Sequence, residues 1–103
     1  MSDQGKGDAI LHLLLSADAR AWRDCRAACS EQDTVLLLDA GVMALAVFGK
    51  GGLQGSPCRL TVSALDAQAR GLSEDMAGAA LAFMKDEDIV ALIEAHRHCL
   101  SWR

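Results

Sequence analysis

No stretch of this 103-residue chain reaches the roughly 18 consecutive apolar residues that a membrane-spanning helix requires. The opening Met1-Ser2-Asp3-Gln4-Gly5-Lys6-Gly7-Asp8 is polar and lacks the apolar core of a signal peptide. A cytoplasmic protein with reduced thiols is expected, and residues 1–8 read as a flexible tail ahead of one domain over 9–103. Positive charge is scarce, with ten Lys and Arg against fourteen Asp and Glu and a formal net charge of −4. That balance excludes a partner held by bulk positive charge, so direct nucleic-acid binding is not expected. The four cysteines (Cys25, Cys29, Cys58 and Cys99) contain no C-x-x-C, which argues against zinc-ribbon and thioredoxin chemistry.

Apolar residues are plentiful. Hydrophobic residues make up 51% of the chain, and the nine glycines bring the apolar set to nearly 60%, well above the composition of a disordered chain. Short apolar runs recur at 9–15, 34–38, 58–62 and 79–84. Runs this short, without polar alternation, fit parallel strands covered on both faces. Helical segments separate them. The first covers about 17–30 behind Ser16 as N-cap, with Trp22, Cys25 and Cys29 on one stripe. Another runs from Ser63, with Asp66 at capping-box spacing, to Gly71. The last starts near Asp86, where Asp86-Glu87-Asp88 suits the positive helix end. Its stripe is Ile89, Leu92, Ile93 and His96, and His96-Arg97-His98 is placed at its C-terminus. Alternating strand and helix predicts an α/β fold with a single doubly wound, mostly parallel sheet of four to five strands and helices on both faces. The glycine-rich stretch 49–57 is expected to be a loop.

Val42-Met43-Ala44-Leu45-Ala46-Val47-Phe48 is apolar on every side, whereas a helix covering a sheet in so small a domain should keep a polar face. Either the domain swallows this helix, or another subunit covers its outer side. The second reading makes Val42, Met43, Leu45, Val47 and Phe48 candidate interface residues.

The chemistry-bearing residues are few. The carboxyl ends of the strands fall at Ser16-Ala17-Asp18, Asp39-Ala40-Gly41, Ser63-Ala64 and Lys85-Asp86, none with a phosphate-binding fingerprint, and no cofactor is expected. Arg20, Arg23 and Arg26 lie within five residues of Cys25, a setting that stabilises a thiolate. The helical wheel opposes this, placing Cys25 in the middle of the apolar arc with only Arg26 bordering the stripe. Cys25 therefore reads as a buried small hydrophobe or as a sulfur acceptor with Arg26 as thiolate stabiliser. A Cys25–Cys29 disulfide would distort a regular helix. Cys25, Cys29, His96, His98 and Cys99 would have to converge to bind zinc, which nothing in their spacing demands, so no metal is expected. His12, within the first strand, reads as a satisfied core histidine rather than a base.

Several segments taken in order resemble the DsrH/TusB family of sulfur-relay subunits. Ile10-Leu11-His12 resembles its short "LH" first strand, and Val35-Leu36-Leu37-Leu38-Asp39-Ala40-Gly41-Val42 its second strand and "DGV" turn. Leu65-Asp66-Ala67-Gln68-Ala69-Arg70-Gly71-Leu72 is similar to its "D-x-x-A-R-G" helix end, and Leu100-Ser101-Trp102 to its terminal tryptophan. Ala40, Ser16-Ala17 and Lys85-Asp86 depart from the family pattern. The resemblance implies a fold shared with DsrE and DsrF relatives. It further implies a heterohexamer with DsrE/TusD-like and DsrF/TusC-like subunits, passing persulfide sulfur toward tRNA wobble 2-thiouridine or within intracellular sulfur oxidation. The principal sulfur-accepting cysteine of that family belongs to the DsrE/TusD-type partner. DsrH-like members can carry one on the first helix, where Cys25 falls. Outside the resemblance, a homo-oligomeric α/β module binding a small ligand at the strand ends is the alternative.

Overall fold

The computed structural model describes residues 8–53, 58–73 and 81–103. Five strands form one sheet in the order β4-β3-β2-β1-β5, and every neighbouring pair is parallel. The strands are β1 (Ile10–Leu14), β2 (Thr34–Leu37), β3 (Arg59–Ser63), β4 (Ala82–Met84) and β5 (His98–Trp102). The helices between them are α1 (Ala19–Ala28), α2 (Ala44–Leu53), α3 (Ala64–Ala69) and α4 (Asp86–Glu94). All four residues of the central strand β2 are buried, which is why its sequence shows no polar alternation.

Two apolar clusters lie on opposite faces of the sheet. The larger joins Leu14, Val35, Leu37 and Val62 to Trp22 and Cys25 of α1, Ala44, Leu45 and Leu53 of α2, and Ala67 of α3. The smaller joins Leu11 and Leu36 to Ile89 of α4, with Leu13, Leu38, Met84 and Leu92 partly buried around it. Three helices thus cover one face and α4 the other. This follows from the strand order, because right-handed crossovers from β1 out to β4 stack on one side and the return to β5 needs the other.

Local signals explain most helix ends. Ser63 caps α3 by accepting from the Asp66 N–H at 3.3 Å, and Gly71 takes a positive φ of 72° just past the helix. The cap of α1 is Asp18, not Ser16; Asp18 accepts from the Arg20 N–H, while Ser16 Oγ accepts from the Asp18 N–H at 3.0 Å and braces the cap. Two further expectations are corrected. Residues 49–53 are helical, completing α2 despite three glycines. Each glycine costs about 1 kcal/mol relative to alanine, but the extra turn carries Leu53 into the core at 2% exposure. Residues 54–57 of the expected loop, and residues 1–7 of the expected tail, lie outside the described residues. His98 belongs to β5 rather than to a helix end; α4 stops at Glu94, and His96 Nδ1 donates to the Leu92 carbonyl at 2.8 Å, closing its last turn.

Candidate functional site

At the carboxyl ends of β2 and β3, two short motifs meet. Gly41 lies so close to the end of β1 that a Cβ would fall 1.8 Å from the Leu14 carbonyl oxygen. Leu38 N–H bonds that same carbonyl at 3.1 Å, and Gly41 N–H bonds the Leu38 carbonyl, so the Asp39–Met43 3-10 turn is drawn tight against β1. Asp39 is forced to a φ of 54°, a conformation Asp tolerates better than most residues. Asp66 accepts from the Asp39 N–H at 2.6 Å, and Arg70 holds the Asp39 carboxylate at 3.0 Å. The Asp39-Ala40-Gly41 turn and the Asp66…Arg70-Gly71 helix end are therefore one unit. The open groove beside it, about 290 Å³, is lined by Ala64, Leu65, Gln68, Lys85, Asp86 and Glu87. Three acidic residues in the first turn of α4 make this end inhospitable to a phosphate.

The chemistry gathers further back along the sheet, around His12 in the middle of β1 and Asp33 just ahead of β2. His12 is fully buried and its Nε2 lies 2.9 Å from Asp33 Oδ2. Its Nδ1 accepts the Trp102 indole N–H at 3.1 Å. An indole nitrogen only donates, so the His12 proton sits on Nε2, where the carboxylate takes it. The rings stack with centroids 6.0 Å apart. Asp33 also accepts the Ile10 N–H at 2.9 Å and the Ser30 N–H at 3.1 Å. Burial pushes the Asp33 carboxyl up, but the hydrogen bonds from His12, Ile10 and Ser30 outweigh it and hold it below the ordinary aspartate value. Among the described residues, no buried side-chain nitrogen or oxygen lacks a hydrogen-bond partner. His12 is thus the satisfied core histidine the sequence suggested.

Three thiols adjoin this pair. Cys25 on α1 is fully buried, Cys58 ahead of β3 is nearly so, and Cys29 is half-buried. Cys29 leaves helical geometry at the C-cap of α1, with φ −79° and ψ 146°. Its thiol reaches both Cys25 and Cys58; the contact with Cys25 is the larger influence and pushes the Cys29 thiol up to about 12. Cys25, Cys29 and His12 bring their ligand atoms within 4.8 Å of one another. His96, His98 and Cys99 do not join them, and His12 takes their place among the described residues. Arg26 is exposed in the last turn of α1. Asp33, which organises the centre, escaped the sequence reading; its only sequence signal is its place just ahead of the β2 run, three residues after Ser30.

The candidate interface segment divides. Val42 and Leu45 point into the chain's own core, Met43 and Phe48 are half-buried, and Val47 is 59% exposed. Phe48 packs on Trp22 with ring centroids 6.5 Å apart. Among the described residues, other large apolar side chains open to solvent are Leu65, Val90, Ile93 and Leu100, none of them a candidate interface residue from the sequence, and Ile93 was expected on the apolar stripe of α4.

Sheet order, glycine-tight turn and grouped thiols together define a small all-parallel α/β protein built around cysteine rather than around a phosphate loop. Residues 7–99 match the family of DsrH like proteins, and the chain belongs to that family. Its members are subunits of sulfur-relay systems and act in complexes with other relay subunits. No curated protein matches the chain. Among the described residues, no helix is long and apolar enough to cross a membrane.

Proposed function

We propose that this chain is an accessory subunit of a cytoplasmic persulfide relay, its domain spanning residues 9–103. It assembles with DsrE/TusD-like and DsrF/TusC-like chains in a heterohexamer, on a route ending in tRNA 2-thiouridine or in intracellular sulfur oxidation. The observation that carries this reading is the state of its thiols. A sulfur acceptor must present a thiolate to its donor. Cys25 has no exposed surface, and its more open neighbour Cys29 is held protonated with its thiol pushed up to about 12. The chain therefore supports the relay by shape, and the attacking cysteine belongs to a partner. Its outward apolar residues lie on several elements, Val47 on α2, Leu65 on α3, and Val90 and Ile93 on α4, which suits a subunit with more than one neighbour.

Alkylation of the native, reduced chain at pH 8, followed by peptide mass mapping, tests this. Exposed Cys99 is modified first, Cys29 at least tenfold more slowly, and Cys25 only after unfolding. A persulfidated donor leaves Cys25 unmodified. Sulfur appearing on Cys25 of the native chain, and disappearing in Cys25→Ser, would overturn the accessory role and make Cys25 the carrier, with Arg26 as its thiolate stabiliser. Assembly that survives Cys25→Ser supports the accessory role.

A further inference from the structure

We propose that His12, Cys25 and Cys29 form a binding site for a thiophilic divalent cation of the zinc type. Three different pieces of local structure converge on it: the middle of β1, the buried stripe of α1 and the cap that ends α1. Cys29 sits at the cap, one turn after Cys25, with its N–H on the Arg26 carbonyl at 3.2 Å, so both thiols lie on the side of α1 that faces β1. The ligand atoms of the three residues lie within 4.8 Å of one another. Zinc–sulfur bonds of about 2.3 Å and zinc–nitrogen bonds of about 2.0 Å place these tetrahedral ligands roughly 3.5–3.8 Å apart. Side-chain rotation that moves the atoms by up to about 1.3 Å closes the difference.

The surroundings are those of a metal-binding histidine. Ligand histidines characteristically donate their second ring N–H to a carboxylate, which fixes the tautomer and turns the lone pair on the other nitrogen toward the ion. His12 already donates Nε2–H to Asp33, itself anchored by the Ile10 and Ser30 N–H groups. The lone pair left to the ion is on Nδ1, now taken by the Trp102 indole. Binding therefore exchanges one hydrogen bond for one coordinate bond. Trp102 lies at the end of edge strand β5 and is only partly buried, and ion binding requires its indole N–H to leave Nδ1. The fourth position falls to water or to Cys58, whose thiol touches Cys29. Two thiols with a carboxylate-braced imidazole make a soft, mixed sulfur–nitrogen set, which favours zinc over magnesium or calcium. As the ion binds, each ligating thiol loses its proton to solvent and no electron is transferred. The inference does not rest on the relay reading.

The test uses the full chain, reduced and stripped with chelator, titrated with zinc chloride alone and separately with cadmium chloride, whose thiolate complexes absorb in the ultraviolet. One ion binds per chain. Affinity falls at least tenfold in Cys25→Ser and Cys29→Ser and is unchanged in Cys99→Ser. Trp102→Phe binds more tightly, since no indole competes for Nδ1. Circular dichroism of each variant separates loss of the site from loss of the fold; if Cys25→Ser unfolds, the half-buried Cys29→Ser decides. Loss of affinity in Cys58→Ser assigns the fourth ligand to that thiol, and unchanged affinity assigns it to water. Absence of one-to-one binding, binding that survives Cys29→Ser, or binding that depends on Cys99 overturns the proposal.

Discussion

Asp33 accepts more hydrogen bonds than any other side chain around His12, and its replacement shows what the centre is worth. Its two oxygens take the Ile10 N–H, the Ser30 N–H and the His12 Nε2–H. Asn in its place offers one acceptor and aims an amide donor at donors, leaving at least one buried group without a partner. Asp33→Asn should therefore cost roughly 1–3 kcal/mol, read as a lowered denaturant midpoint with unchanged slope. The pH dependence has a definite sign. The folded-state carboxyl lies below its ordinary value of 3.8, so it contributes stability above that value and loses it as pH falls through 3.8 toward the folded pKa. Stability of the metal-free chain should decline on acidification below about pH 5, and the decline should be shallower in Asp33→Asn. An equal acid response in both chains would show that the pair is not a stabilising ion centre.

Where strands give way to helices, the chain's local chemistry was largely readable. Ser63 with Asp66 announced α3, and the apolar runs announced β1 to β4; in β2, buried along its whole length, no polar alternation is left to mislead. β5 was missed: an edge strand with mostly exposed side chains looks like a tail, and His98-Cys99-Leu100-Ser101-Trp102 owes its structure to pairing with β1. Helical residues 49–53 were missed because burial of Leu53 outweighs glycine's low propensity, a tertiary effect that no local signal carries. The thiol centre was half visible. Cys25 and Cys29 were placed on one helix stripe and His12 inside a strand, but their meeting depends on how α1 packs on β1 and on Asp33 just ahead of β2. The clearest element-level test is Gly41. An added Cβ there meets backbone, the Leu14 carbonyl, which also accepts the Leu38 N–H and cannot withdraw without breaking the β1–turn contact. Gly41→Ala should cost at least about 2 kcal/mol in a denaturant titration, whereas Ala40→Gly, on the exposed side of the same turn, should cost under about 1 kcal/mol. Equal effects would mean that the turn yields freely.

The whole molecule places three helices on one face of the sheet and a single helix on the other, and both sides carry apolar residues the chain does not cover. Val47 on α2 and the Val90/Ile93 pair on α4, three residues apart on one helix face, lie on opposite sides of the sheet. A relay subunit with neighbours on both sides needs such an arrangement, whereas a lone domain is only burdened by it. Replacing exposed Val47 by Glu leaves the chain's own packing intact, so its unfolding free energy should change by no more than about 0.5 kcal/mol. Buried against a partner, the same carboxylate would lose its water without gaining a counter-charge, and that penalty falls on assembly alone. Co-expression with DsrE- and DsrF-like chains, followed by sedimentation, should show Val47→Glu displaced from the complex with at least a tenfold loss of affinity. Ile93→Glu tests the other side in the same way. If only one variant dissociates, the subunit docks through that side alone. If both assemble as tightly as the parent chain, neither surface is covered, and the apolar segment 42–48 serves only the core that Val42 and Leu45 already fill.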